Sequence, residues 1–145
     1  MSIILDILRT APPPQANAQF PGRNLLTSKP RDALPLSPVE YLTTVIDSVA
    51  PVIKIRQQRG IAGGGASLPI PVPLRIRQRR RTAIQWILTS AQSRRDTRLA
   101  DRVAKEIISV AEGKSSAWER RAMVHRLAVS ARSNVRLSAP RGGRR

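Results

Sequence analysis

Pro69, Pro71 and Pro73 alternate with Leu68, Ile70, Val72 and Leu74. Proline has a fixed φ and no N–H to donate, so this run fits neither a helix interior nor a central strand. Alternate residues in a strand turn their N–H groups to the same side. All three missing donors therefore fall on one outer edge, and the residues between keep theirs for a partner. The partner is Val52–Gln57, joined to Leu68–Leu74 by a tip holding Gly60, Gly63, Gly64 and Gly65. The prediction is a two-stranded ribbon with one edge closed to further pairing. A lone hairpin is marginal, so this one must lie against helices or a ligand.

The ribbon is also the most charged part of the chain. Residues 51–82 hold Lys54, Arg56, Arg59, Arg75, Arg77, Arg79, Arg80 and Arg81 and no acid. Residues 113–145 hold nine bases against Glu119 alone, whereas 1–50 are neutral and 83–112 nearly so. The whole chain of 145 residues carries a net charge of +17. Single-sign segregation of this kind implies a polyanionic partner. Arginines 79–81 open a helix, where positive charge opposes the macrodipole. Bound phosphates would instead be held by both the guanidinium groups and the helix N-terminal amides. Aromatic residues make up only 3% of the chain, so base stacking cannot dominate, and contact is expected to be phosphate- and shape-driven.

Helical periodicity fills most of the remainder. Residues 2–9 form two turns with Ile3, Ile4, Ile7 and Leu8 on one side. Residues 11–36 contain six prolines and read as an extended or disordered connector. Ser37-Pro38-Val39-Glu40 is a capping-box start, followed by Leu42, Val45, Ile46 and Val49 at helical spacing, with Pro51 ending the helix. A third helix is expected over Arg77–Arg94, with Ile84, Ile87, Leu88 and Ala91 inward and Trp86 in the core. A fourth spans Thr97–Glu112, with Asp96 as N-cap, Leu99, Val103, Ile107 and Val110 inward, and Gly113 at C′. The fifth starts at Ser116-Ala117-Trp118-Glu119 and continues through Val124, Leu127, Ala128 and Ala131. After Asn134 the pattern fails, leaving a basic disordered tail. The fold class is thus mostly α: a bundle of four to five helices with a protruding two-stranded ribbon. Its three parts are residues 1–36, an RNA-binding domain over 37–134, and the tail 135–145.

Catalytic and cofactor chemistry find no support. There is no cysteine, and nothing near the one histidine, His125, completes a metal site. His125 reads as a helix residue that packs or touches RNA. The acids Asp101, Glu106, Glu112 and Glu119 sit beside bases, with Asp101 four residues before Lys105, and read as surface ion pairs. Gly63-Gly64-Gly65 lacks the Gly-Lys-Ser/Thr ending of a phosphate loop. No apolar run approaches the ~18 residues of a membrane span, and a membrane-active peptide is excluded by apolar stripes that face a shared core. An enzyme, a cofactor and a membrane partner are not expected.

Several short motifs occur in an order that resembles the universal small-subunit ribosomal protein seven family. They are Ser37-Pro38-Val39-Glu40 leading to Val49-Ala50-Pro51-Val52, then Pro71-Val72 and the arginines into Trp86-Ile87. Arg102-Val103-Ala104 with Glu106 follows, then Glu112-Gly113-Lys114 before Ala117, and Val124-His125-Arg126-Leu127-Ala128. The resemblance covers residues 37–134 and is strongest to fungal mitochondrial members. It implies a structural protein that binds the 3′ major domain of small-subunit rRNA and supports assembly of the head. It also implies neighbouring head and platform ribosomal proteins as partners, with the ribbon near the mRNA path and exit-site tRNA. The location implied is the mitochondrial ribosome, with a cytosolic or bacterial-type ribosome as fallback. The expected RNA contacts are Lys54, Arg56, Arg59, Arg75 and Arg77 from the ribbon and Arg79, Arg80 and Arg81 from the helix start. Lys114, Arg120, Arg121, Arg126 and Arg132 form a second group.

The chain also departs from the family pattern. Members begin with a basic arm and a further long helix, whereas residues 1–9, with Asp6 and only Arg9, look like the end of that region and make a poor presequence. The reading is a truncated or processed start. Ala131 stands where the family has Asn, and Val135-Arg136-Leu137 with the RGGRR end replaces an aromatic tail. The alternative is a DNA-binding regulator using helices four and five as a helix-turn-helix. It would put Trp118 and Glu119 against base edges and leave the basic ribbon unexplained.

Overall fold

The computed structural model describes residues 2–12, 23, 25, 37–59 and 67–138. Its elements are α1 (Ser2–Thr10), α2 (Pro38–Val49), β1 (Ile53–Arg59), β2 (Ser67–Pro73), α3 (Ile76–Gln92), α4 (Leu99–Ala111) and α5 (Ser116–Ser130). A 3₁₀ turn (Arg132–Asn134) and a four-residue helix, α6 (Val135–Ser138), follow. The mostly helical class with a two-stranded ribbon is as the sequence predicts. The glycine tip and residues 139–145 lie outside the described residues, as does all of the connector after Pro12 except Arg23 and Leu25. Residues 135–138, expected in the tail, are helical.

Helices α1 to α5 share one core, in which Leu8, Leu25, Tyr41, Val45, Val49, Ile87, Val110 and Trp118 are buried. Two-turn α1 is too short to persist alone and is held by packing on α4 and α2. On α2 the buried positions are Tyr41, Val45, Ser48 and Val49, while Leu42 and Ile46 flank them. Pro38 occupies the first turn and Ser37 is the N-cap, but the Ser37 hydroxyl makes no capping bond, so that half of the expected box is absent. Burial of Tyr41, reinforced by the negative charge of Glu112, pushes its phenol up to about 12.

On α3, Ala83, Ile87 and Ala91 recur every four residues and are buried. Ile84 and Leu88, expected inward, are each 41% exposed, and Trp86 sits half-buried at the core's edge. With Leu99 of α4, also expected inward but 56% exposed, Ile84 and Leu88 line an open apolar groove of about 570 Å³. Each stripe is wider than the surface its neighbours cover, which periodicity alone does not reveal.

The α4 start differs from expectation. Its N-cap is Arg98, without a side-chain cap, and Asp96 instead accepts from Lys105. That hydrogen bond holds Asp96 below the usual carboxylate range and takes the lysine from its predicted partner Asp101. At the other end Gly113 adopts φ +79°, the left-handed conformation expected at C′. The α5 cap lies one residue earlier than predicted: Ser115 Oγ accepts the Ala117 N–H at 3.1 Å.

Glu106, expected on the surface, is buried. Its carboxylate accepts from Arg94 Nε at 2.7 Å and Ser115 Oγ at 2.6 Å, while Arg94 Nη2 donates to Ser109 Oγ at 2.6 Å. Ser90 and Ser116 hydroxyls meet at 2.8 Å beside it. This polar joint locks the end of α3 and the start of α5 to α4. Arg23 closes the same corner from the connector, donating to Gly113 O at 3.1 Å with Glu119 at 3.7 Å.

Candidate nucleic-acid interface

The ribbon pairs antiparallel, with Ile53, Ile55 and Gln57 opposite Pro73, Pro71 and Pro69. Leu74 N–H donates to Val52 O at 2.9 Å, which fixes the alternation: even-numbered residues of β2 take the hydrogen-bonding positions and the prolines the others. The strands extend to Arg59 and begin at Ser67, slightly nearer the tip than predicted. Because cross-strand partners share a face, Lys54, Arg56, Ile70 and Val72 lie on one side. Lys54 and Arg56 are exposed there. Arg59, also exposed, is on the opposite side, with Ile53 and Pro71, which face α5 across a crevice of about 500 Å³.

Two side chains from beyond α4 tie the ribbon to the bundle, one at its base and one nearer its tip. His125 Nε2 accepts the Val52 N–H at 3.3 Å, and Asn134 Nδ2 donates to Pro69 O at 2.9 Å. The His125 contact requires an unprotonated Nε2. Burial, together with the positive charges of Arg121 and Arg79, lowers its pKa from the ordinary value and keeps it neutral. The packing role read for His125 is therefore realised. Among the described residues no group of acids and histidines is placed to hold a metal ion, and no helix is long and apolar enough to cross a membrane.

The arginine run divides into three directions. Arg75, Arg77 and Arg81 are exposed. The backbone amide of Arg75 donates to Gln78 Oε1 at 3.2 Å, satisfying one donor at the α3 start. Arg80 is directed at α2 instead, where Nε and Nη2 grip both oxygens of Asp47 at 2.7 Å. That hydrogen-bonded carboxylate raises the Arg80 pKa further. Arg79 turns to α5 and is half-buried near Arg121, whose pKa is lowered first by burial and then by Arg79.

Along α5, Arg121 lies over the Trp118 ring, 5.7 Å from its centroid. Arg120 is half-buried, and Arg126 and Arg132 are exposed. Lys114 is exposed and donates to Glu112 at 2.8 Å. Trp118 is only 3% exposed, and its Nε1 donates to Val110 O at 2.9 Å. It therefore cannot read base edges as the helix-turn-helix alternative requires. Leu127, assigned inward, is 45% exposed, while Ala128 and Ala131 are buried as expected.

Sequence reasoning missed Asn134, Arg23 and the Arg94–Glu106 joint. Each pairs with a residue on another element, 12 to 90 positions away, and no local pattern announces such a pairing. The acid-free stretch did locate the exposed cations of the ribbon and α3, but not which of them are engaged within the protein.

Helices enclosing one core, an anchored basic ribbon and no metal-binding cluster among the described residues define a structural class of helical, ribbon-bearing basic proteins. The chain belongs to the ribosomal protein S7p/S5e family, whose sequence profile matches residues 25–132. It is similar to a Neurospora crassa protein named small ribosomal subunit protein uS7m, with 47% identity over 141 residues, covering 93% of this chain and 45% of that one. Small ribosomal subunit protein uS7 of Bartonella quintana is 35% identical over 66% of this chain and 60% of its own. That of Methylobacterium radiotolerans is 33% identical over 67% and 60%. The chain thus spans about half the length of the curated relatives it matches.

Proposed function

We propose that this chain is a non-catalytic constituent of the small ribosomal subunit that binds rRNA and supports assembly of the head. The single observation that carries the reading is the set of exposed cations Lys54, Arg56, Arg75, Arg77 and Arg81, from a stretch of sequence without acids, beside a ribbon tied to the bundle by His125 and Asn134. A rigid array of cations suits a folded phosphate backbone. Arg126 and Arg132 on the α5 side form a second set of contacts. Arg59 extends the first set toward the tip, and Arg120 and Lys114 border the second.

The binding site is the 3′ major domain of the rRNA, with head and platform proteins as neighbours and the ribbon toward mRNA and exit-site tRNA. Similarity to a fungal protein named as uS7m supports a mitochondrial ribosome. Crosslinking of the tagged protein in cells, with sequencing of recovered RNA, tests all of this. Reads concentrated in the 3′ domain of mitochondrial small-subunit rRNA are expected. Scattered reads, or recovered DNA, would reject the assignment, and reads in cytosolic rRNA would move its location.

A further inference from the structure

We propose that Arg79 of α3 and Arg121 of α5 form a clamp for a single phosphate group of the RNA backbone, seated between the two helices and distinct in construction from the exposed ribbon cations. The proposal deepens the rRNA-binding reading and rests on it.

The Nε atoms of both arginines are buried and have no hydrogen-bond partner among the described residues. Buried donors in native proteins are almost always paired, and an unpaired one on a charged group is costly. Here two such donors carry the same charge from facing helices. Burial, and then the charge of Arg79, destabilise the protonated form of Arg121, and no carboxylate among the described residues offsets them. Arg80, the next residue on α3, shows the contrast, since both of its bonds to Asp47 are made within the protein. Arg102 Nε is also unpaired, but Asp96 lies within electrostatic reach of that guanidinium.

The surroundings hold the pair ready for an anion. Trp118 is fixed by its bond to Val110 and gives Arg121 a flat wall to lie against. One turn along α5, His125 stays neutral and engaged with Val52, so it adds no third charge. A tetrahedral phosphate offers several acceptor oxygens and negative charge at one point. It would satisfy both guanidinium forks and cancel their repulsion.

A site of this kind makes the free protein less stable in exchange for binding, and that gives the test two opposite signs. Arg121→Gln removes the repulsion, so the isolated full chain should resist urea as well as or better than wild type. Its affinity for a transcript of the 3′ major domain of small-subunit rRNA should nevertheless fall by about ten- to a hundredfold. Its plot of log affinity against log salt should flatten by about one contact. Arg98→Gln, an exposed position with the same change in net charge, is the control and should lose much less.

Inorganic phosphate supplies a second readout. Relative to chloride at equal ionic strength, it should raise the unfolding midpoint of wild type more than that of Arg121→Gln, because generic salting effects act on both alike. If the chain binds the transcript but Arg121→Gln matches Arg98→Gln in affinity and phosphate response, the clamp is wrong and the ribosomal reading stands. If wild type does not bind the transcript at all, the ribosomal reading and the clamp fall together.

Discussion

Removing both members of the Arg94–Glu106 pair should cost less than the two single losses added together. Glu106 has a side chain only 5% exposed, and it accepts from Arg94 and Ser115; Arg94 retains 29% exposure and also donates to Ser109. Breaking a buried pair from one side typically costs about 3–5 kcal/mol, because the surviving charge stays buried and uncompensated. The two sides are unequal here. With Glu106→Leu, Arg94 can still reach water and keeps Ser109, which points to the lower end, about 3 kcal/mol. With Arg94→Met, the carboxylate is left with one hydroxyl in a nearly dry site, which points to the upper end. The double variant, Arg94→Met with Glu106→Leu, replaces both charges by apolar volume. It should fall short of the summed single losses by about 2–3 kcal/mol. Equilibrium urea unfolding of the four proteins, with midpoint and slope fitted for each, gives the coupling directly. Single losses below about 1 kcal/mol, or additivity within about 0.5 kcal/mol, would refute the view that this pair locks α3 to α4.

Gly113→Ala should cost about 1–2 kcal/mol of stability for the left-handed backbone, read by the same urea titration, since φ there is +79°. Its new Cβ would also sit 3.3 Å from Arg23 Cβ, so faster proteolytic cutting of the connector should accompany the loss. Tyr41 is the only tyrosine in the chain, so its alkaline titration by ultraviolet absorbance is unambiguous. The folded pKa of about 12 lies above the unfolded value of ~10, so stability present below pH ~10 is lost as pH rises toward 12, by about 2–3 kcal/mol in total. His125 has the opposite sign: its folded pKa is lowered, so its contribution is complete above the ordinary value of ~6.5 and is lost as pH falls through the depressed one. Amide exchange at Val52 should accelerate over that acidic window in wild type and be fast at every pH in His125→Phe. Lys54→Gln with Arg56→Gln should weaken binding to the 3′-domain transcript uniformly across point variants of the RNA and reduce the salt slope by about two, without lowering the urea midpoint.

The parts of the fold that were legible in the sequence are those governed by local rules. Alternating prolines allow only an edge strand, Pro51 stops α2, and Gly113 takes the one backbone conformation that other residues avoid. What escaped was decided by tertiary neighbours that local patterns do not name. Ile84, Leu88 and Leu99 obey helical periodicity, yet the elements beside them leave a groove open. Asp96 has good capping chemistry but is closer to Lys105 than to the amides it was expected to satisfy. In the candidate interface, the basic run identified the cations as a set, while their roles were set by what faces each one. Arg80 meets Asp47, Arg79 meets Arg121, and Arg81 meets solvent, although the three are consecutive in sequence.

The seat of Arg23 also imposes an order on synthesis. The carbonyl it grips belongs to Gly113, 90 residues later, and Val52 and Pro69 wait for His125 and Asn134, 73 and 65 residues later. While the chain is being made, Arg23 and the ribbon strands leave the ribosome well before their partners exist. For that interval the most basic segment of the molecule is exposed without its anchors. Its final geometry can be set only once α5 and the turn after it have been made and close over both.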